Sequence, residues 1–99
     1  MKLEVGMYVR TETGLISKIV ELPSWGIYIE DSVDCFSEKD IKASHNIIDL
    51  IEVGDYVNGK LVEDIFEKTN YADKSIKLKG SGDYWYNEHI KSIVTKEQF

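Results

Sequence analysis

The chain has 99 residues, room for one ordinary domain or two very small ones, and 42% hydrophobic with 11% aromatic content marks it as globular rather than disordered. Twelve basic against eighteen acidic residues give 12 − 18 = −6, which opposes phosphate-driven nucleic-acid binding, and Arg10 is the only arginine. The single cysteine, Cys35, excludes an internal disulfide and a cysteine-rich metal site.

At the N-terminus, "MKLEVGMYVR" lacks an apolar signal core because Glu4 and Arg10 interrupt it, and no later run reaches the length of a membrane span. A reducing, cytoplasmic setting is therefore expected. "VGMYVRT" (5–11) alternates like a strand, with a glycine near its start. "GLISKIVE" (14–21) begins at a turn glycine and is rich in β-branched residues, and "GIYIED" (26–31) alternates with period two. "DCFSEKDIKAS" (34–44) reads as a strand, a tight polar turn and a last strand, since "SEKD" is too short for more than one 3₁₀ turn. The joint "SHNIIDLIEVG" has no glycine or proline before Gly54 and is apolar at Ile47, Ile48, Leu50 and Ile51, unlike a flexible linker. It predicts a packed interface between two halves, with Ile47, Ile48 or Leu50 buried in it. "VGDYVNG", "LVEDIFE", "SIKLKG" and "DYWYNEHIKSI" then repeat the strand signals in the same order.

The second half restates the first. "LEVGMYV" and "IEVGDYV" share Glu4/Glu52, Val5/Val53, Gly6/Gly54, Tyr8/Tyr56 and Val9/Val57 at an offset of 52 − 4 = 48. "LISKIVE" matches "LVEDIFE" at 61 − 15 = 46 through Leu15/Leu61, Ile19/Ile65 and Glu21/Glu67. From Ile27/Ile76 the offset is 76 − 27 = 49, pairing Phe36 with Trp85, Cys35 with Tyr84 and Asp40 with His89. Insertions fall only in turn-like segments while apolar positions keep their order, the mark of a duplication. Within the repeated phrase, Met7 and Asp55 differ, which predicts that this position faces outward or toward the other half.

An opening V-G-x-Y-V strand, a glycine-led long strand, an alternating strand, and a strand with a one-turn insert before a final I-K strand together resemble the SH3-like barrel, including bacterial KOW-type modules. The chain as a whole also resembles small proteins of Gram-positive bacteria and their phages or prophages. The resemblance implies an all-β protein of two tandem SH3-like five-stranded barrels, related by internal duplication, spanning 1–48 and 49–99. About 48 residues bury too little apolar surface to be comfortable alone, so the two are expected to pack against each other.

Chemistry-bearing motifs are scarce. Cys35 has only His45 and His89 as candidate bases, and its acidic neighbours disfavour the thiolate. No H-x-x-x-H, H-E-x-x-H or C-x-x-C spacing occurs, so Glu30, Asp31 and Asp34 read as a solvated turn rather than a metal site. "GSGD" (80–83) leads into no helix and reads as a turn rather than a phosphate cradle. No catalytic residue, metal or cofactor is expected.

The aromatic residues carry more. Tyr8/Tyr56 and Phe36/Trp85 repeat and so serve the scaffold, whereas Trp25, Tyr28, Tyr71, Tyr84 and Tyr86 do not repeat. Trp25 and Tyr71 fall in the loop before the third strand of each copy, and Tyr84 and Tyr86 share one face of a strand. Exposed aromatics bring large contact area at low entropic cost, so these five are the candidate partner-binding residues of a non-catalytic protein-interaction module, as an accessory protein of a phage or mobile element engaging a host factor would be. The alternative is a KOW-type RNA-binding protein using Lys74, Lys77 and Lys79 with Tyr71 and Trp85 as a stacking platform, which the net charge disfavours.

Overall fold

A computed structural model of the chain describes residues 2–67, 74–82 and 84–98. These form an all-β protein with two five-stranded antiparallel sheets. The chain divides into two compact units, Met1–Leu50 and Ile51–Phe99.

In the first unit the strands are β1 (Tyr8–Thr11), β2 (Ile16–Glu21), β3 (Ile27–Ile29), β4 (Cys35–Phe36) and β5 (Ile41–Ser44), hydrogen-bonded in the order β4-β3-β2-β1-β5. A 3₁₀ turn, Glu38–Asp40, lies between β4 and β5, and a second, Ile47–Leu50, ends the unit. The alternation of "YVRT" and "IYI" buries Val9, Ile27 and Ile29, which join Met7 and Ile19 in one core. Leu3, Leu15, Leu22, Phe36, Ile41 and Ala43 pack around that core. Ile48 and Leu50 in the closing turn are buried, and the Leu50 carbonyl accepts from the buried Arg10 guanidinium at 2.8 Å. The lone arginine thus ties the end of its unit to β1.

The second unit consists of β6 (Tyr56–Val57), β7 (Lys60–Phe66), β8 (Ser75–Leu78), β9 (Tyr84–Trp85) and β10 (Ile93–Val94). Its order, β9-β8-β7-β6-β10, is that of the first sheet strand for strand. Its buried apolar residues are Ile51, Val57, Val62, Ile76 and Leu78.

Both units open on the same turn. Gly6 (φ 97°) and Gly54 (φ 101°) adopt a left-handed backbone that side-chain-bearing residues resist. The following N–H turns back in each case, from Met7 to the Glu4 carbonyl at 3.2 Å and from Asp55 to the Glu52 carbonyl at 3.1 Å. Position 7/55 does not face outward, however. Met7 is 1% exposed and Asp55 0%. The turn leaves an N–H pointing inward, and each side chain meets it: Met7 Sδ accepts from Glu4 N–H at 3.2 Å, and Asp55 Oδ2 from Glu52 N–H at 2.7 Å. Met and Asp alternate here because both carry an acceptor of suitable reach, not because the site is free.

Hydrogen-bond register also corrects the alignment of the second strands. Tyr8 faces Lys18 and Tyr56 faces Leu61, while Ile19 faces Ile29 and Val62 faces Leu78. Ile19 and Val62 are therefore equivalent, an offset of 62 − 19 = 43 rather than 46. A bulge follows each of them, before Glu21 and before Asp64. The matching letters of "LISKIVE" and "LVEDIFE" are slipped by three positions, and an odd slip exchanges the two faces of a strand. The physical origin is the hairpin. An Asn-Gly two-residue turn, with Asn58 at φ 52° and Gly59 at φ 81°, closes β6–β7 tightly, whereas the first hairpin spends residues 12–15 on its loop.

Candidate functional site

Each unit carries a cleft on the same piece of scaffold. Phe36 faces Ile27 and Trp85 faces Ile76, so β4 and β9 occupy equivalent places at 85 − 36 = 49, and a 3₁₀ turn follows each strand.

In the first unit, the cleft has a volume of about 550 Å³ between the β2–β3 turn and β4. Its walls are the apolar side chains of Leu3, Leu22, Pro23, Trp25, Ile27 and Phe36, and its remaining lining includes Cys35 and Glu38. The turn closes through Gly26 N–H donating to the Pro23 carbonyl at 3.2 Å. Glycine lets the turn sit close at position 26: an added Cβ would force the Cys35 thiol to turn aside and would come 3.0 Å from the Phe36 carbonyl. That close approach holds the turn against β4. It presents Trp25 with 73% of its surface exposed and its indole N–H donating to the Tyr28 hydroxyl at 3.2 Å. The exposed Cys35 thiol lies 3.9 Å from the Trp25 carbonyl.

The second-unit cleft, about 370 Å³, is lined by Tyr84, Trp85, Tyr86 and His89. Strand alternation turns Tyr84 outward, 52% exposed, where it meets the edge of Phe66 at a centroid distance of 5.0 Å. Trp85 lies on the other face, half-buried, its indole N–H donating to Ser81 Oγ at 3.2 Å. His89 Nδ1 accepts from the Tyr86 N–H at 3.1 Å, which leaves Nε2 to carry the ring proton, and the ring stands 5.8 Å from Trp85 and 6.0 Å from Tyr86. Asn58 anchors this corner from below: Nδ2 donates to the His89 carbonyl at 2.9 Å, and Oδ1 accepts from Lys91 and Ser92 N–H at 2.8 and 3.1 Å.

Of the five aromatic residues singled out from the sequence, Trp25 and Tyr28 are hydrogen-bonded in the first unit and Tyr84 and Tyr86 line one cleft in the second, while Tyr71 lies outside the described residues. Leu3, Leu22 and Glu38 are cleft residues that the repeat comparison passed over. Phe36 had been given a scaffold role through its match to Trp85, and both rings also line clefts. His89, weighed only as a base for Cys35, is a wall of the aromatic cleft; its signal was the "YWYNEH" context.

Of the acidic candidates Glu30, Asp31 and Asp34, all exposed, Asp31 is bonded into the fold through its carboxylate. Asp31 Oδ2 accepts from Ser17 Oγ at 2.9 Å and its N–H donates back at 3.1 Å, while Asp34 N–H donates to Ser32 Oγ. Among the described residues, no three or more His, Cys, Asp or Glu side chains gather closely enough to hold a metal ion. Lys77 is exposed and stands opposite Tyr84 on one side and Asp64 on the other, with Lys79 exposed further along. Among the described residues no helix is long and apolar enough to cross a membrane. The chain matches no protein-family model, no curated protein and no solved structure.

Proposed function

We propose that the protein is a non-catalytic protein-interaction module made of two SH3-like barrels that arose by internal duplication, and that it engages a partner through the aromatic corners of the two units. The observation that carries this reading is the exposure of large aromatic surface on a rigid support: Trp25 at 73% on a turn held against β4, and Tyr84 at 52% beside Phe66. Rigid aromatics lose little conformational entropy when a partner covers them, and they dominate binding energies at interfaces. Duplication is supported by the shared strand order, the bulge after Ile19 and Val62 and the positive-φ glycine before each first strand. The free, exposed Cys35 suits a reducing cytoplasmic setting. A phage or mobile-element accessory protein acting on a host factor is the biological role in keeping with the sequence resemblance.

One observation favours a second reading, single-stranded nucleic-acid binding: Lys77 stands directly opposite Tyr84, placing a cation beside a stacking ring. The surrounding charge opposes it, because residues 51–99 carry 7 − 9 = −2.

Affinity capture with the wild-type chain, compared with Trp25→Ala plus Tyr84→Ala, tests the module reading, with fluorescence anisotropy on a single-stranded RNA run in parallel. A protein retained by the wild type and lost by the double variant is the expected result. RNA binding at physiological ionic strength that falls steeply with added salt would replace it with the second reading.

A further inference from the structure

We infer that the first-unit cleft takes a basic peptide segment of the partner, seating one large apolar side chain beside Trp25 while flanking Lys or Arg residues meet the carboxylates of the rim. This rests on the protein-interaction reading above and names the partner's chemistry at one of its two corners. The volume of about 550 Å³ lies within the roughly 300–1,000 Å³ typical of ligand-binding clefts. Leu3, Leu22, Trp25, Ile27 and Phe36 give it an apolar side on which such a side chain can rest, Ser24, Ser37 and Glu38 give it a polar one, and among the described lining residues Glu38 is the charged side chain. Immediately beside lining residues in the chain stand Glu4, Glu21 and Asp34, all exposed, against Lys2 and Lys39. With Glu38, the charged residues at or next to the lining along the chain balance to 2 − 4 = −2. The whole unit carries 5 − 9 = −4, and one of its five basic residues, Arg10, is buried with its charge committed to the Leu50 carbonyl.

Charge decides among possible occupants. A nucleic-acid backbone or an acidic segment would bring like charge to this rim, and so would a second copy of a chain with net charge −6. A basic segment is attracted at long range and gains desolvated pairs on docking, while Trp25, held by the Pro23–Gly26 turn and by Tyr28, pays little to be covered.

Cys35 lines the cleft, is exposed and is the only cysteine, so it serves as a built-in occupancy reporter. The full-length chain is alkylated with a maleimide in the presence of three synthetic decapeptides. One has a central Trp-Leu pair flanked by Lys and Arg; the second has Glu at those flanking positions; the third keeps Lys and Arg but has Gly-Gly in place of Trp-Leu. Binding of fluorescently labelled peptides is followed separately by anisotropy. The basic Trp-Leu peptide is expected to slow Cys35 alkylation roughly tenfold at about ten times its Kd, by mass action. Neither control peptide should match it, and Trp25→Ala and Glu38→Lys, checked for native unfolding midpoints, should each abolish the protection. Equal protection by the acidic peptide, or the absence of protection by any of them, overturns the inference. If the basic peptide binds but leaves Cys35 reactive, and Tyr84→Ala rather than Trp25→Ala removes binding, this inference falls and the wider module reading stands. If no peptide binds and RNA does, both fall.

Discussion

The buried carboxylate of Asp55 makes the sharpest stability prediction. It is 0% exposed, and its two oxygens serve two chain segments: Oδ2 accepts from Glu52 N–H at 2.7 Å and Oδ1 from Lys96 N–H at 2.9 Å. It therefore fastens the C-terminal 3₁₀ turn, Lys96–Gln98, to the turn that opens the second unit. Hydrogen bonds to a charged group contribute about 1.5–3 kcal/mol each, so Asp55→Ala should cost about 3–6 kcal/mol. Because Lys96 is exposed, water can recover part of the second bond, which favours the lower end of that range. Even about 3 kcal/mol is a large share of the roughly 5–15 kcal/mol that holds a small protein folded, and it corresponds to a fall in Tm of about 12–24 °C.

Two further substitutions make the ranking diagnostic. Asp55→Asn keeps one oxygen but turns an NH₂ toward a donor, so about one bond's worth, roughly 1.5–3 kcal/mol, is lost. Asp55→Met imports the residue of the first unit, whose thioether accepts the equivalent N–H at 3.2 Å. It retains a weak partner for Glu52 N–H, leaves Lys96 N–H without one, and should fall between Asn and Ala. Urea unfolding in a Trp25→Phe background reads the second unit through Trp85 alone, since the chain has two tryptophans. If Asp55→Ala stays within about 1 kcal/mol of wild type, the ordinary cost of a point substitution, and Glu52 and Lys96 amide exchange is unchanged, the clasp has been misjudged.

Gly26→Ala should destabilise the first unit by about 1–3 kcal/mol, the usual cost of overpacking, and change the maleimide reactivity of Cys35, because the new methyl displaces the turn from β4. An unchanged midpoint and thiol rate would contradict this. For Asn58, Ala loses three side-chain hydrogen bonds and the tolerated φ of 52°, whereas Gly loses only the bonds. Asn58→Gly is thus expected to be milder than Asn58→Ala, with faster amide exchange at Lys91 and Ser92 in both. The Lys96 ammonium is raised above its ordinary value of 10.5 first by its hydrogen bond to Glu52, 2.8 Å long, and then by the Glu52 charge. Its contribution is therefore complete below the unfolded value and is lost as pH rises through the higher folded one. The stability difference between wild type and Lys96→Met should hold from neutral pH into the mildly alkaline range, vanish once lysine deprotonates and shrink with salt; a difference that grew at alkaline pH would argue against the pair.

The succession of strands along the chain was legible because the repeated apolar positions are inside in both units: Val9 and Val57, Ile27 and Ile76, and Ile29 and Leu78 are all buried. Register was not, because the hairpin turn decides it. "RTETG" and "NGK" differ in length by two letters, whereas from Val9–Ser17 to Val57–Lys60 the connection shortens by 8 − 3 = 5 residues. A run of β-branched residues tolerates such slips on paper. The sheet does not, since Ile19 and Val62 must both point into a core, at 1% exposure each.

Position 7/55 escaped for a related reason: a polarity comparison sets methionine and aspartate far apart. The deciding property is shared, an acceptor atom two bonds or so beyond Cβ that reaches an N–H left inside by a left-handed glycine. The clefts extend the same lesson. At each aromatic corner the scaffold is common to the two units, but Cys35 and Glu38 stand in the first where Tyr84 and Asn87 stand in the second. Equivalent strands thus offer a mixed apolar and polar groove bearing Glu38 in one unit and a wall of rings in the other. On the duplication proposed above, two copies that kept one function would be expected to keep one surface. That the two surfaces differ while the cores and the opening turns agree is what the proposed interaction module would need to make two different contacts with its two units.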